Sequence, residues 1–167
     1  LHVGDDDGGM ARQAPGPAGE DALAFLKGQG ASASLASSAE ALSQYGATPA
    51  GPNLPQVAVI MPKTPRRVIE ALRAAEIRVV TELELAFEHA SCMSIGVTGT
   101  NGKTTTSELI EAILAHSHRK TFRAGATGAP LCAALGQSRE LDYLTLELDC
   151  FDLEYSANYR PSVGVLL

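Results

Sequence analysis

The sequence predicts an α/β fold built on mostly parallel sheets. Short apolar segments typical of strands alternate with segments of helical periodicity along most of the chain. Of its 167 residues, 45% are hydrophobic, which is enough for a buried core. We expect a Rossmann-like domain over residues 1–91 and the N-terminal part of a P-loop-type domain over residues 92–167, with the boundary near Ser91.

The first predicted domain alternates short strands and helices. Its strands are predicted at residues 1–4, 31–35, 57–61 and 77–80. Helices are predicted at 20–27 and 38–44, from residue 64 onwards, and from the segment 81–84 to about residue 90. Gly/Pro-rich loops are predicted at 8–19 and 48–55. Thr64 before Pro65 predicts a helix start, because the hydroxyl caps free N–H groups and proline suits the first helical position. Residues 81–84, Thr-Glu-Leu-Glu, fit a capping box that opens the last helix.

The second predicted domain continues this alternation. Its strands are predicted at residues 93–97, 121–124, 143–148 and 163–167, and its helices at 105–115 and 130–135. The first of these helices is indicated by helical spacing of its apolar residues, Leu109, Ile110, Ile113 and Leu114. Gly136 is expected to close the second helix.

The run 96–106 between the first strand and helix of this domain has the composition of a phosphate-binding loop. Gly99 and Gly102 permit positive φ, so that backbone N–H groups can turn towards an anion. Lys103 offers a charge to the β- and γ-phosphates, and the Thr104 hydroxyl can ligate Mg²⁺. The predicted nucleotide contacts are Gly99, Thr100, Asn101, Gly102, Lys103, Thr104 and Thr105.

Glu147 is the candidate carboxylate partner of this loop. It lies near the carboxyl end of a predicted strand, the edge at which open α/β sheets bind ligands. A carboxylate across from a loop hydroxyl is a usual way to hold Mg²⁺ beside phosphates. The alternative is a solvated strand-end charge.

The loop departs from the general P-loop pattern at Val97, where that pattern has glycine. The variant Thr-Gly-Thr-Asn-Gly-Lys-Thr-Thr at residues 98–105 resembles the ATP loop of the Mur ligase family. The segment 146–154, Leu-Glu-Leu-Asp-Cys-Phe-Asp-Leu-Glu, is similar to the Leu-Glu-Leu-Ser-Ser-Phe-Gln-Leu-Glu segment of the branch that adds D-glutamate to UDP-N-acetylmuramoyl-L-alanine. Residues 84–87, Glu-Leu-Ala-Phe, are also similar to that branch.

The resemblance implies an ATP- and Mg²⁺-dependent amide ligase of peptidoglycan precursor synthesis that works through an acyl phosphate. It implies that Lys103 and Thr104 bind phosphate and Mg²⁺, that Glu147 ligates Mg²⁺, and that Phe151 lines the nucleotide pocket. Lys103 and Glu147 are thereby the candidate catalytic residues. A nucleotide and UDP-N-acetylmuramoyl-L-alanine are the implied partners.

Departures from the family fall on the substrate side. Ala126 stands where the family's Asn-Ile-Gly-x-Pro segment has an amide, and Asp149 and Asp152 replace a serine and a glutamine. The run Met61-Pro62-Lys63 stands in place of a Ser-Pro-Gly turn. The run Asp5–Asp7 would repel a diphosphate, and we interpret it as a solvated turn rather than a cation site.

These departures keep two alternatives open. One is a Mur-like ATP-binding module that has lost the UDP-substrate site, and the other is a Mur-type ligase with a different substrate. The folylpolyglutamate branch of the family usually has Gly-Lys-Gly-Ser in its loop, whereas residues 102–105 read Gly-Lys-Thr-Thr.

Composition excludes several other classes. A net charge of −6 argues against a nucleic-acid surface. No apolar run approaches the length of a membrane span and no leader is recognisable, so a cytoplasmic location is expected. Cys92, Cys132 and Cys150 are expected to be reduced thiols. The chain begins without Met and ends in an apolar strand, so we expect a piece of a longer protein that alone binds nucleotide weakly or not at all.

Overall fold

The computed structural model describes residues 2–4, 27–28, 35–37, 56–62, 64–127 and 129–167. The chain divides into two compact units, residues 1–82 and residues 83–167. Each unit contains a sheet whose strand pairs are all parallel, so the predicted α/β class is confirmed.

The described residues of the first unit form a four-stranded parallel sheet of order β2-β1-β3-β4. Its elements are β1 (His2–Gly4), β2 (Leu35–Ser37), β3 (Val57–Ile60), α1 (Arg66–Ala74) and β4 (Arg78–Thr81). Helix α1 is amphipathic and buries Val68, Ile69 and Leu72. The strands predicted at 1–4, 57–61 and 77–80 are confirmed, and the one predicted at 31–35 overlaps β2 at Leu35.

The start of α1 differs from the prediction. Its N-cap residue is Pro65 rather than Thr64, and among the described residues no side chain forms a capping hydrogen bond at the start of α1. The Thr64 hydroxyl accepts a hydrogen bond from the Met61 N–H at 3.2 Å and donates one to the Met61 carbonyl at 2.7 Å. This threonine therefore closes the turn that follows β3.

Several predictions fall on residues outside the described ranges. They concern the loops at 8–19 and 48–55, the helix at 38–44, the acidic run Asp5–Asp7 and Lys63. Of the helix predicted at 20–27, the structure describes only Lys27, which is helical together with Gly28.

The second unit holds a four-stranded parallel sheet of order β6-β7-β5-β8. Its elements, in chain order, are α2 (Glu82–His89, which begins at the unit boundary), β5 (Met93–Thr98), α3 (Lys103–His116), β6 (Thr121–Gly125), a 3₁₀ helix η1 (Leu131–Glu140), β7 (Tyr143–Glu147), α4 (Cys150–Glu154) and β8 (Val163–Leu166). All four predicted strands and both predicted helices are thus present, although the second helix is a 3₁₀ helix that continues past Gly136 to Glu140.

Helix α3 buries only part of the apolar pattern that the sequence analysis identified. Leu109 and Ile113 are 59% and 56% exposed, whereas the fully buried residue of this helix is Ser107. Ile110 and Leu114, which also belong to the predicted pattern, are half-buried. The buried face of α3 therefore combines apolar residues with Ser107, which lies next to Glu147 at the end of β7.

Helix α2 is tied to the second unit by a buried carboxylate. Glu84 is 1% exposed and accepts hydrogen bonds from the Asn158 N–H at 2.8 Å, the Asn158 side-chain amide at 2.7 Å and the Tyr159 N–H at 3.1 Å. This is a physical reason for the division at residues 82 and 83. The boundary near Ser91, at the other end of the helix, and the Rossmann-like assignment of residues 1–91 stay predictions.

Among the residues that the structure describes, no helix combines the length and the apolar character that crossing a membrane requires. Cys92, Cys132 and Cys150 are thiols rather than disulfides, and Cys132 is buried.

Candidate functional site

The loop between β5 and α3 has the backbone that its glycines predicted. Gly99 has φ +142° and Gly102 has φ +84°, and Gly102 is the N-cap of α3. A Cβ on Gly99 would lie 2.6 Å from the Leu167 carbonyl oxygen, so a larger residue there would collide with backbone as well as adopt a disfavoured φ. The loop thus delivers the N-terminus of a 14-residue helix, whose free N–H groups and dipole favour an anion.

Lys103 is folded over this loop. Its Nζ donates a hydrogen bond to the Gly99 carbonyl at 2.7 Å. An ammonium group has three donors, so two remain for an incoming oxyanion. Thr100, Asn101 and Thr105 are exposed, which leaves the rim of the loop open to solvent.

Glu147 lies beside this loop because of the strand order. In the register of the central strands, Val97 of β5 and Gly125 of β6 are both paired with Glu147, the last residue of β7. The Leu148 N–H donates to the Val97 carbonyl at 2.9 Å, which extends the pairing to the point where the loop begins. The Glu147 side chain is 0% exposed, so the interpretation of this residue as a solvated charge is wrong.

Four side chains donate hydrogen bonds to the Glu147 carboxylate. Oε2 accepts from the hydroxyls of Thr104 at 3.0 Å and Thr127 at 2.5 Å. Oε1 accepts from the Ser107 hydroxyl at 2.7 Å and from Arg123 Nη1 at 2.8 Å. The structure therefore brings together the predicted pair, Thr104 and Glu147, and adds three residues that the sequence interpretation did not include.

These additional residues have partial sequence signals. Ser107 lies three positions after Thr104, a spacing that puts both on one face of α3. Arg123 lies two positions before Gly125, which is paired with Glu147, and so shares its face of the sheet. Only the order β6-β7-β5 shows that these side chains converge on one carboxylate.

The hydrogen bonds keep Glu147 ionised. Burial alone raises the pKa of this carboxyl group, but the hydrogen bonds from Thr127, Ser107, Arg123 and Thr104 outweigh it, and the pKa is lowered from its ordinary value. The hydrogen bond to Glu147 also raises the pKa of Arg123, against the effect of burial. Glu108 and Glu111 extend the ion-pair network, at 3.6 and 3.4 Å from the Arg123 guanidinium.

Because the pKa of Glu147 is lower in the folded chain, the ionised group adds stability above the unfolded-state pKa of about 4.3. That contribution is lost as the pH falls through the lower folded-state pKa. We expect the difference in unfolding free energy between wild type and Glu147→Gln to be constant at neutral pH and to shrink below about pH 4.3. Urea unfolding in EDTA over this range measures it, and a difference that grows on acidification would contradict the expected sign.

The chemistry of the donor set fits a small divalent cation. Thr104 Oγ1 and Glu147 Oε2 are 3.0 Å apart, and adjacent ligands of Mg²⁺, bound at 2.0–2.1 Å, lie about 3 Å apart in an octahedron. In the part of the chain that the structure describes, no group of three or more His, Cys, Asp and Glu side chains could hold a metal ion. A site with few protein ligands is typical of Mg²⁺ that shares its shell with water and phosphate.

The acidic residues after β7 have a local role. Asp149 is the N-cap of α4: its side chain accepts from the Asp152 N–H at 2.9 Å, and the Asp152 side chain accepts from the Asp149 N–H at 3.1 Å. This capping box satisfies N–H groups at the start of the helix. Phe151, on the same helix, packs its ring against Tyr155 with centroids 4.9 Å apart, and its contact with a nucleotide stays a prediction.

Removing the cap should loosen α4. We expect Asp149→Ala to lower the free energy of unfolding by about 1 kcal/mol, and Asp149→Asn, which retains a capping oxygen, to lower it by only a few tenths. Urea unfolding of both variants at neutral pH tests this. Equal losses in the two variants would show that the charge of Asp149, and not its cap, stabilises the chain.

The second unit therefore presents a parallel α/β sheet with a glycine loop, a helix N-terminus and a buried carboxylate at its strand ends. Residues 97–167 match the family model of the Mur ligase middle domain. This match confirms the resemblance to the Mur ligase family for residues 97–167.

Three of the relatives found share one name. The chain is 35% identical over 113 residues to the UDP-N-acetylmuramoylalanine--D-glutamate ligase of Geobacter metallireducens, covering 66% of this chain and 25% of that protein. It is 38% identical over 129 residues to the ligase of the same name from Pelotomaculum thermopropionicum, covering 75% of this chain and 28% of that protein. With that of Syntrophus aciditrophicus it shares 34% identity over 127 residues, covering 76% of this chain and 26% of that protein. The chain thus spans about a quarter of the length of these relatives.

Proposed function

We propose that this protein is an ATP-dependent amide ligase of peptidoglycan precursor synthesis that adds D-glutamate to UDP-N-acetylmuramoyl-L-alanine through an acyl phosphate, in the cytoplasm. The observation that carries the proposal is the hydrogen bond between Thr104, in the first turn of the helix after the glycine loop, and the buried Glu147. The middle-domain match and the shared name of the relatives support the substrate.

The residues divide the work by their positions. The loop from Gly99 to Gly102 and the N–H groups that open α3 would bind the phosphates, and the free donors of Lys103 would stabilise charge on the phosphoryl group as it is transferred. Thr104 and Glu147 would hold Mg²⁺, which when bound neutralises charge on the phosphate oxygens. Ser107 and Arg123 hold the other oxygen of Glu147 and so orient the carboxylate.

In the proposed reaction the substrate carboxylate attacks the γ-phosphorus of ATP and ADP leaves. The amine of D-glutamate then displaces phosphate from the acyl phosphate, and an amide forms. The departures at Asp149 and Asp152 do not weaken this proposal, because both side chains are engaged in capping α4.

A second candidate is a Mur-like ATP-binding module without UDP-substrate binding, or a Mur-type ligase with another substrate. The observation that favours it is Ala126, which is exposed and offers only a methyl group where the family resemblance expects an amide. Its backbone N–H is already used, since it donates to the Glu147 carbonyl at 3.1 Å.

Two measurements on the complete protein separate these functions. Phosphate release should require ATP, UDP-N-acetylmuramoyl-L-alanine and D-glutamate together, and omission of any one should abolish it. Calorimetry should show binding of UDP-N-acetylmuramoyl-L-alanine. ATP binding without binding of that substrate would refute the D-glutamate ligase and support the second candidate.

A further inference from the structure

Three oxygen atoms from three separate elements meet at the exposed edge of the site. Thr104 Oγ1 lies 3.0 Å from Glu147 Oε2 and 3.1 Å from Thr127 Oγ1, and Thr127 Oγ1 lies 2.5 Å from Glu147 Oε2. Thr104 belongs to α3, Glu147 ends β7, and Thr127 follows β6. The resemblance to the ligase family places an apolar isoleucine at the position of Thr127, so the third oxygen is a feature of this chain.

The backbone fixes the position of Thr127. Gly125 has φ +111°, and a Cβ there would lie 2.2 Å from the Glu147 carbonyl oxygen, so the chain passes Glu147 at a distance that only glycine permits. The Ala126 N–H then donates to that same carbonyl at 3.1 Å. These contacts deliver the next side chain, Thr127, to the carboxylate.

The hydroxyl oxygens of this triangle still have lone pairs available to bind an ion. Each threonine hydroxyl has one proton and two acceptor lone pairs, and the Thr127 proton is directed to Glu147. Oε1 of Glu147 is occupied by Ser107 and Arg123, so Oε2 is the oxygen that faces both threonines. Thr127 is exposed, which leaves the triangle accessible to an ion.

The separations in the triangle fit a small hard cation. Thr104 Oγ1 lies 3.0 Å from Glu147 Oε2 and 3.1 Å from Thr127 Oγ1, and adjacent ligands of Mg²⁺ lie about 3 Å apart. The short edge is the hydrogen bond between Thr127 and Glu147, which ion binding replaces.

We propose that Thr127 is a third oxygen ligand, beside Thr104 and Glu147, for a small divalent cation. The inference rests on the proposed nucleotide site and adds to it a neutral hydroxyl ligand from the segment after β6. No covalent bond of the protein is made or broken, and the Thr127 hydroxyl keeps its proton while its hydrogen bond to Glu147 is replaced.

Mn²⁺ serves as the probe, since the electron paramagnetic resonance of the free ion reports its dissociation constant. In the complete protein with saturating ADP, we expect Thr127→Val to weaken Mn²⁺ binding by about tenfold or more. Thr127→Ser, which keeps the hydroxyl, should bind Mn²⁺ with nearly wild-type affinity. Thr121→Val is the matched control, because the Thr121 hydroxyl is buried without a hydrogen-bond partner among the described residues.

A thiol exchange distinguishes a ligand from a residue that only orients Glu147. Thr127→Cys should raise the preference for Zn²⁺ over Mn²⁺ relative to wild type, because a soft thiolate that contacts the ion favours Zn²⁺. An unchanged preference, or unchanged Mn²⁺ affinity in Thr127→Val while Thr104→Val loses affinity, would overturn the inference and leave the proposed function standing. A wild-type protein that binds neither ADP nor Mn²⁺ would overturn both.

Discussion

Lys103→Ala is expected to reduce substrate-driven phosphate release in the complete protein by roughly a hundredfold to a thousandfold, the usual cost of removing one preorganised donor from a transition state. The loop holds the lysine in place through the 2.7 Å hydrogen bond from Nζ to the Gly99 carbonyl, so its charge is positioned before the nucleotide arrives. The effect should fall mainly on kcat, because the interaction strengthens as charge develops on the transferring phosphoryl group. Steady-state phosphate release at saturating ATP measures it.

Lys120→Ala is the matched control. This lysine is exposed beyond the opposite end of helix α3, and its loss removes the same charge without touching the loop. We expect turnover close to that of wild type. Undiminished turnover in Lys103→Ala would remove the basis for the proposed phosphoryl transfer, whereas equal losses in both variants would indicate a general effect of net charge.

The strand, the glycine loop and the helix of this site could be predicted from the sequence because their determinants are local. The glycines at 99 and 102 stand where the backbone needs positive φ, and Lys103 and Thr104 follow directly. The roles of Asp149 and Asp152 are also encoded locally, because an N-cap residue followed three positions later by an acidic residue has the spacing of a capping box. The family motif has a serine and a glutamine at these positions, which gives no information about the capping of α4 by the two carboxylates.

The convergence on Glu147 could not be predicted in the same way. Its donors come from α3, β6 and the segment after β6, and they meet only because the sheet has the order β6-β7-β5. Apolar periodicity gave only part of the buried face of α3: Ile110 and Leu114 are half-buried, but the fully buried residue is Ser107, which donates to the carboxylate. A buried polar residue weakens the apolar pattern from which helix orientation is usually inferred.

Arg123→Met is expected to cause a larger loss of stability than Glu147→Gln, although both remove the same ion pair. Without Arg123 the Glu147 carboxylate is a charge with 0% exposure and no cation, and stranding such a charge costs about 3 kcal/mol or more. In Glu147→Gln the amide oxygen can still face Arg123 and Ser107, while the amide NH₂ donates to the threonine hydroxyls. That variant loses only charge-assisted bonding, about 1.5 kcal/mol.

The double variant Glu147→Gln/Arg123→Met should therefore be nearly as stable as Glu147→Gln alone, since it contains neither charge. Urea unfolding of the four proteins at neutral pH in EDTA should give a coupling free energy of about 3 kcal/mol, close to the whole loss caused by Arg123→Met alone. Arg119→Met is the control, because the Arg119 pair with Asp142 is long, 3.7 Å, and solvent-exposed, and should contribute less than about 0.5 kcal/mol. Additive losses from Glu147→Gln and Arg123→Met would mean that the three hydroxyl groups and the guanidinium group act independently on the carboxylate. Arg123 would then not be the group that keeps Glu147 charged in the core.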